Sequence, residues 1–189
     1  MSDGLDRGDV PLAAGAVVGP VAWVLGYLLT YLVASGRIRE SGLGQLLEFL
    51  GEDGAVYKLV GWVFYNSHFV ETVVDGAPVS VAGNAIGGDQ GFTPLLFVVP
   101  PALLLAAGLA VARFQGSETS RDGILAGVAV VPAYLVLSVA GALLFTISAG
   151  PATGRPDVLL AVLLAGVVYP AVFGGIGGVV AGTTASDAR

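Results

Sequence analysis

The sequence predicts an all-α integral membrane protein, a bundle of four transmembrane helices with a long first loop carrying short interfacial helices. Three observations carry this. Of the residues, 55% are hydrophobic and only 12% charged, where a soluble domain carries about 25% charged residues. Mean hydropathy is +0.85. Four apolar runs are each long enough to cross a hydrocarbon core, which takes about 20 helical residues. Such a chain cannot cover itself with a wetted surface, so lipid must solvate much of it.

The runs extend from about Val10 to Ser35, Phe92 to Arg113, Gly123 to Ser148 and Asp157 to Gly182. Backbone in lipid must satisfy its own hydrogen bonds, so each run should be a helix. A β-barrel would show strands of alternating polarity, and these runs are apolar on all sides. The first run is too long for the apolar region of a cleaved signal peptide, about 7–15 residues. The whole chain reads as a single transmembrane domain over residues 1–189, with residues 36–91 as an extramembrane loop.

The connections differ in character. Gln115–Asp122 and Gly150–Pro156 are short polar links, which make antiparallel neighbours. The first connection opens with Arg37, Arg39 and Glu40. Leu43, Leu46, Leu47 and Leu50 then mark one helical face, ended by Glu52, Asp53 and Gly54. Val56, Leu59, Val60, Val63 and Phe64 repeat the spacing. Tyr57, Trp62, Tyr65 and His68 accompany them, so Ala55–Phe69 reads as a helix at the membrane–water interface. A fifth span over residues 55–74 is the alternative, but it would carry Lys58, Asn66, His68 and Glu71 into the bilayer. A charge at its centre costs about 2.5–3.5 kcal/mol. Glu71–Asp75 and Val79–Ala82 flank the turn-forming Asp75-Gly76-Ala77-Pro78 and suggest a small hairpin.

Charge and cysteine content exclude several classes. There are 14 acidic residues against 8 basic ones, which argues against a nucleic-acid partner and against a polybasic lipid anchor. Lys58 is the only lysine, a balance that fits a salt-loving source. Without cysteine, disulfides and thiolate chemistry are excluded. Four spans put both termini on one side of the cell membrane. Arg7, Arg113, Arg121 and Arg189 would lie there, against Arg37, Arg39, Lys58 and Arg155, so the basic counts tie. The short second link carries Arg113 and Arg121, which favours cytoplasmic termini.

The tyrosine-containing first run, the segment Gly61-Trp62-Val63-Phe64-Tyr65-Asn66-Ser67-His68-Phe69-Val70, the glycine-rich stretch after it and Phe97-Val98-Val99-Pro100-Pro101 together resemble a family of small multi-span membrane proteins of halophilic archaea. The likeness spans most of the chain. That family is a domain of unknown function, so the resemblance implies no activity, substrate or site.

Three groups of residues are site candidates. Gly15 and Gly19, and Gly174, Gly178 and Gly182, recur at four-residue spacing, and small residues let helix backbones approach closely in lipid. They suit packing within the chain, or docking of a second copy or another membrane protein. Gly123, Gly127, Ser138 and Ala142 extend the pattern. Pro20, Pro132 and Pro170 lie inside three runs, where proline kinks a helix. Tyr134 and Tyr169 near these kinks could line a permeation path. His68 and Glu71, with Asn66 nearby, would share a helical face. A histidine and a carboxylate can hold a metal or pass a proton, yet two ligands are too few and no second histidine exists. The default is a solvated polar edge, and no cofactor or metal is expected. The leading function is a binding, scaffolding or complex-subunit role. A small-molecule permease or channel comes second, and a membrane enzyme using His68 and Glu71 third.

Overall fold

The computed structural model describes residues 9–51, 54–76 and 81–186, which divide into two compact units. The helices are α1 (Asp9–Glu40), α2 (Gly42–Phe49), α3 (Ala55–Asn66), α4 (Val99–Phe114), α5 (Ser120–Val128), α6 (Val131–Leu144), α7 (Val158–Leu160) and α8 (Tyr169–Ser186). The strands are β1 (Thr72–Asp75), β2 (Val81–Gly83), β3 (Ile147–Ala149) and β4 (Ala152–Pro156). Four helical stretches are long and apolar enough to cross a membrane: Leu12–Glu40, Pro94–Phe114, Ser120–Leu144 and Val158–Ala185. Their outward faces are apolar. Along α1, Leu25, Leu28, Leu29, Leu32 and Val33 are all exposed, Leu32 by 77%, an arrangement that water would penalise and lipid would not.

The three prolines act differently. α1 continues without a break past Pro20. Pro132 has no N–H and would press on the carbonyl four residues back, and the third apolar stretch is broken there: α5 stops at Val128 and α6 starts at Val131. Pro170 follows a π-helical stretch over Ala161–Val168, whose wider turn gives the ring room.

One unit comprises, among described residues, the first part of α1, most of α4, all of α5, the first half of α6 and all of α8. Its packing is glycine against backbone. A Cβ on Gly178 would collide with the Gly123 carbonyl, one on Gly182 with the Thr119 carbonyl, and one on Gly177 with the Leu105 carbonyl. Gly174 lies against Gly127, Gly15 against Ala129 and Gly19 against Val130. The five glycines singled out by spacing therefore all face neighbouring helices of this chain. The start of α5 is fixed by Thr119, whose hydroxyl accepts from the Asp122 N–H at 3.2 Å and donates to the Asp122 carboxylate at 2.7 Å.

The other unit comprises Val24–Pro100 and Ser138–Ala165. Its core gathers Ala34, Ile38, Leu47, Leu59, Val60, Val63, Ile86, Leu96 and Ile147. The strands form one antiparallel sheet in the order β2-β1-β4-β3. This is more than the expected hairpin, whose turn falls largely outside the described residues. The link expected to be only short and polar, Gly150–Pro156, is half of the sheet. Thr72 pairs with Pro156 and Asp75 with Thr153, and the Asp157 N–H donates to the Glu71 carbonyl at 2.9 Å. The third apolar run ends early for the same reason: Ile147 leaves the helix to pair with Gly154 and bury its side chain. The exposed Arg155–Asp75 ion pair across β4 and β1, at 3.3 Å, adds little.

α3 ends three residues short of the expected helix over Ala55–Phe69 and is more enclosed by the protein. It spans 12 residues, too few for a fifth crossing at 1.5 Å per residue. Its second half is almost wholly buried, from Leu59 through Asn66 with Trp62 half-buried. Trp62 donates its indole N–H to the Phe145 carbonyl at 2.7 Å, Tyr65 donates to the Ser138 carbonyl, and Tyr27 donates to the Tyr57 carbonyl at 3.0 Å. Tyr27 and Phe145 stack at 5.4 Å, with Phe64 edge-on to Tyr27. Of the aromatics expected at the interface, Tyr65 and His68 are fully buried and Trp62 partly so, while Tyr57 stays exposed. α2 has the opposite character: Leu43, Leu46, Phe49 and Leu50 are all at least half exposed, leaving an apolar face uncovered.

Candidate functional site

The end of α3 organises the site. Val70 N–H donates to the Tyr65 carbonyl at 3.1 Å and Phe69 N–H to the Asn66 carbonyl at 2.9 Å, the bond pair of a Schellman helix end. The left-handed position of that motif is usually glycine. Here it is Phe69, at φ 59°, held by stacking on Phe97 with 4.5 Å between centroids. Asn66, fully buried, clasps the segments on either side. Its amide donates to the Val70 carbonyl at 2.8 Å and the Thr72 hydroxyl at 3.4 Å, and its side-chain oxygen accepts from the Ala85 N–H at 2.9 Å. Asn84 donates to the Asn66 backbone carbonyl at 3.0 Å.

The expected His68–Glu71 pair is not formed. The helix ends at Asn66, so no helical face carries both. His68 is fully buried while Glu71 is exposed, which corrects the reading of His68 as a solvated edge. His68 Nδ1 lies 2.9 Å from the Phe64 carbonyl. A carbonyl only accepts, so Nδ1 carries the proton. The His68 ring also meets Phe64 edge-on at 4.9 Å. Among the described residues no group of three His, Asp or Glu side chains could hold a metal ion.

Burial lowers the His68 pKa from 6.5 to about 4, only partly offset by the Phe64 carbonyl. The unfolded chain takes up the proton near pH 6.5 and the folded chain near 4, so the unfolded state binds more protons between them. The neutral imidazole's contribution to stability is therefore full above about pH 6.5 and is lost as pH falls towards 4. It amounts to about 3 kcal/mol at most, from roughly 1.4 kcal/mol per unit. Melting temperatures in detergent should drop from pH 7.5 to pH 5 more steeply for the parent than for His68→Gln. Parallel slopes would refute a buried neutral His68.

Beside the Asn66 clasp lies a pocket of about 470 Å³. Leu59, Trp62 and Val63 of α3, Ile38 and Leu43 of α1 and α2, and Val74 of β1 form its apolar walls. Arg37, Asn84 and Gln90 supply its polar side. Arg37 donates to the Gly91 carbonyl at 2.9 Å and to the Gln90 carbonyl at 3.1 Å, and its guanidinium lies 5.0 Å from the Phe92 ring centroid. These are neutral partners. Of the predicted polar site, only Asn66 lines this pocket; His68 and Glu71 do not. Sequence reasoning passed over Arg37 and Asn84, although Arg37 is the first cation after the first apolar run.

A second, more polar cavity of about 1140 Å³ lies in the glycine-packed unit, lined by Gln115, Glu118, Thr119, Asp122 and the broken stretch from Val128 to Pro132. Pro170 and Tyr134 are not among its lining residues.

Four apolar helices, with apolar side chains facing outward and a strand-knit set of connections carrying the pocket, define a multi-span membrane protein. The chain belongs to a family of unknown function, DUF7978, whose profile matches residues 2–185. No curated protein and no solved structure matches the chain.

Proposed function

We propose that this membrane protein works by binding, and that it binds a small, largely apolar molecule in the pocket walled by Trp62. The carrying observation is the pocket itself: about 470 Å³, apolar walls and a few convergent polar groups, which is how ligand sites are built. The position of the pocket supports the reading. Its unit holds the end of the first apolar helix, the start of the second, the end of the third and the start of the fourth, the ends that the first and third connections join. A scaffolding role through an uncovered glycine face has less support, because the glycines of the spaced pairs lie against this chain's own backbone. A permease reading draws on the larger cavity, which reaches Pro132 and the helix break.

Trp62 offers a direct test. Only two tryptophans occur in the chain, so Trp23→Phe leaves Trp62 as the sole reporter. In nanodiscs, a brominated single-chain amphiphile bound in the pocket should quench Trp62 saturably, whereas partition into bilayer gives a non-saturating response. Gly83 pairs with Thr72 across β2 and β1, so a side chain there stands on the Thr72 face, towards the pocket. A Cβ on Gly83 meets nothing within 4 Å. Gly83→Phe should therefore fill the pocket, abolish saturable quenching and leave melting close to the parent. Equal quenching of parent and Gly83→Phe would sink the proposal.

A further inference from the structure

We infer that the pocket's occupant is a single-chain anionic amphiphile, its head held by Arg37 and its tail lying along Leu43, Leu59, Trp62 and Val63; this rests on the binding reading above. Three observations carry it. Arg37 has five N–H donors and spends two of them on the Gln90 and Gly91 carbonyls. Among the described residues Arg37 makes no ion pair. The two bonds and the Phe92 ring hold the guanidinium at the pocket edge without neutralising it. In a chain with formal net charge −6, an arginine without an ion pair at the edge of an apolar pocket selects for a negative head group. Charge-assisted bonds from arginine to carboxylate or phosphate are about twice as strong as neutral ones.

Asn66, Asn84 and Ser41, which also line the pocket, do not compete for that role. Asn66 and Asn84 spend their amides on backbone and on each other's segment. Ser41 donates to the Ile38 carbonyl at 2.7 Å and accepts from the Gly44 N–H at 3.0 Å. The tail side is apolar, and its volume sits at the small end of ligand pockets, about 300–1,000 Å³, which suits one chain rather than two. The route in is marked by Leu43, which lines the pocket and is also half exposed on the uncovered apolar face of α2, with Leu46, Phe49 and Leu50. An apolar helical face of this kind lies in the head-group boundary of a membrane, so the bilayer surface is the source of the ligand.

The experiment uses the Trp23→Phe protein in nanodiscs with three brominated probes of equal chain length: a fatty acid, a lysophosphatidate and a fatty alcohol. The expected result is saturable Trp62 quenching by one or both acids at concentrations about tenfold or more below that of the alcohol. Arg37→Gln should erase that preference, and Arg37→Lys, which keeps the charge, should retain most of it. The stronger of the two acids tells a carboxylate from a phosphate head. If acids and alcohol bind alike, the anionic inference fails and the pocket reading stands. If the acid preference survives Arg37→Gln, or is lost equally in Arg37→Lys, Arg37 is not the head-group ligand and the inference fails. If no probe quenches saturably, both readings fail.

Discussion

Gly178→Leu is expected to lower the melting temperature of the detergent-solubilised protein more than any other single change in α8. The atoms that a side chain at position 178 would strike are backbone: the Gly123 carbonyl, with the Gly127 Cα 3.2 Å away. A flexible side chain could swing aside, but a helix backbone cannot, so α5 and α8 must separate along their contact. Overpacking costs about 1–3 kcal/mol where side chains can adjust, and this site belongs at or above the upper end. Gly178→Ala should already be harmful, since its Cβ alone meets the carbonyl. Val179→Leu, one position round the helix, is partly exposed and should melt within about a degree or two of the parent. The check is a set of melting curves with size-exclusion profiles. A Gly178→Leu protein that melts like the parent would mean that the two helices do not meet through their backbones.

Asn66→Ala should produce the second large loss. The change removes three side-chain hydrogen bonds and leaves the carbonyl of the fully buried Val70 without its amide donor. A buried polar group left unsatisfied costs about 1–3 kcal/mol, so a total of about 2–4 kcal/mol is expected, or roughly 2–4 °C per kcal/mol for a chain of this size. Asn84→Ala is the control. Asn84 is exposed and makes two of the clasp's bonds, so its loss should cost about 1 kcal/mol. Equal melting of the two variants would show that burial of Asn66 does not set the cost. Because Asn66 also lines the pocket, Asn66→Ala should weaken saturable Trp62 quenching as well.

The apolar helices were legible because the signal is cumulative: some twenty apolar residues in succession admit few alternatives, and the four runs emerge at nearly their expected places. Their ends were less legible. Leu144 closes the third stretch where the sequence suggested Ser148, because Ile147 gains more from strand pairing and burial than from another helical turn. α3 ends at Asn66 without the glycine or proline that marks a helix end in sequence. Phe69 adopts the left-handed position while stacked on Phe97, a partner 28 positions away in the chain. That one unmarked turn carried the His68–Glu71 misreading with it, since both had been placed on a helix that had already stopped.

Composition and the lengths of the apolar runs by themselves determined that this chain is a membrane protein of four apolar helices, since a charge content this low leaves much of its surface to lipid. Spacing by itself determined which glycines lie on one helical stripe. The tertiary structure decided what those features meet. It set Gly178 against the Gly123 carbonyl, joined β1 to β4 in one sheet across the 76 positions between Asp75 and Ala152, buried His68 and Asn66, and brought Arg37 to a pocket walled by Trp62. The physical reason is range. Hydropathy and periodicity are summed over neighbours along the chain, whereas burial, strand pairing and the company a charge keeps depend on residues that only folding brings together.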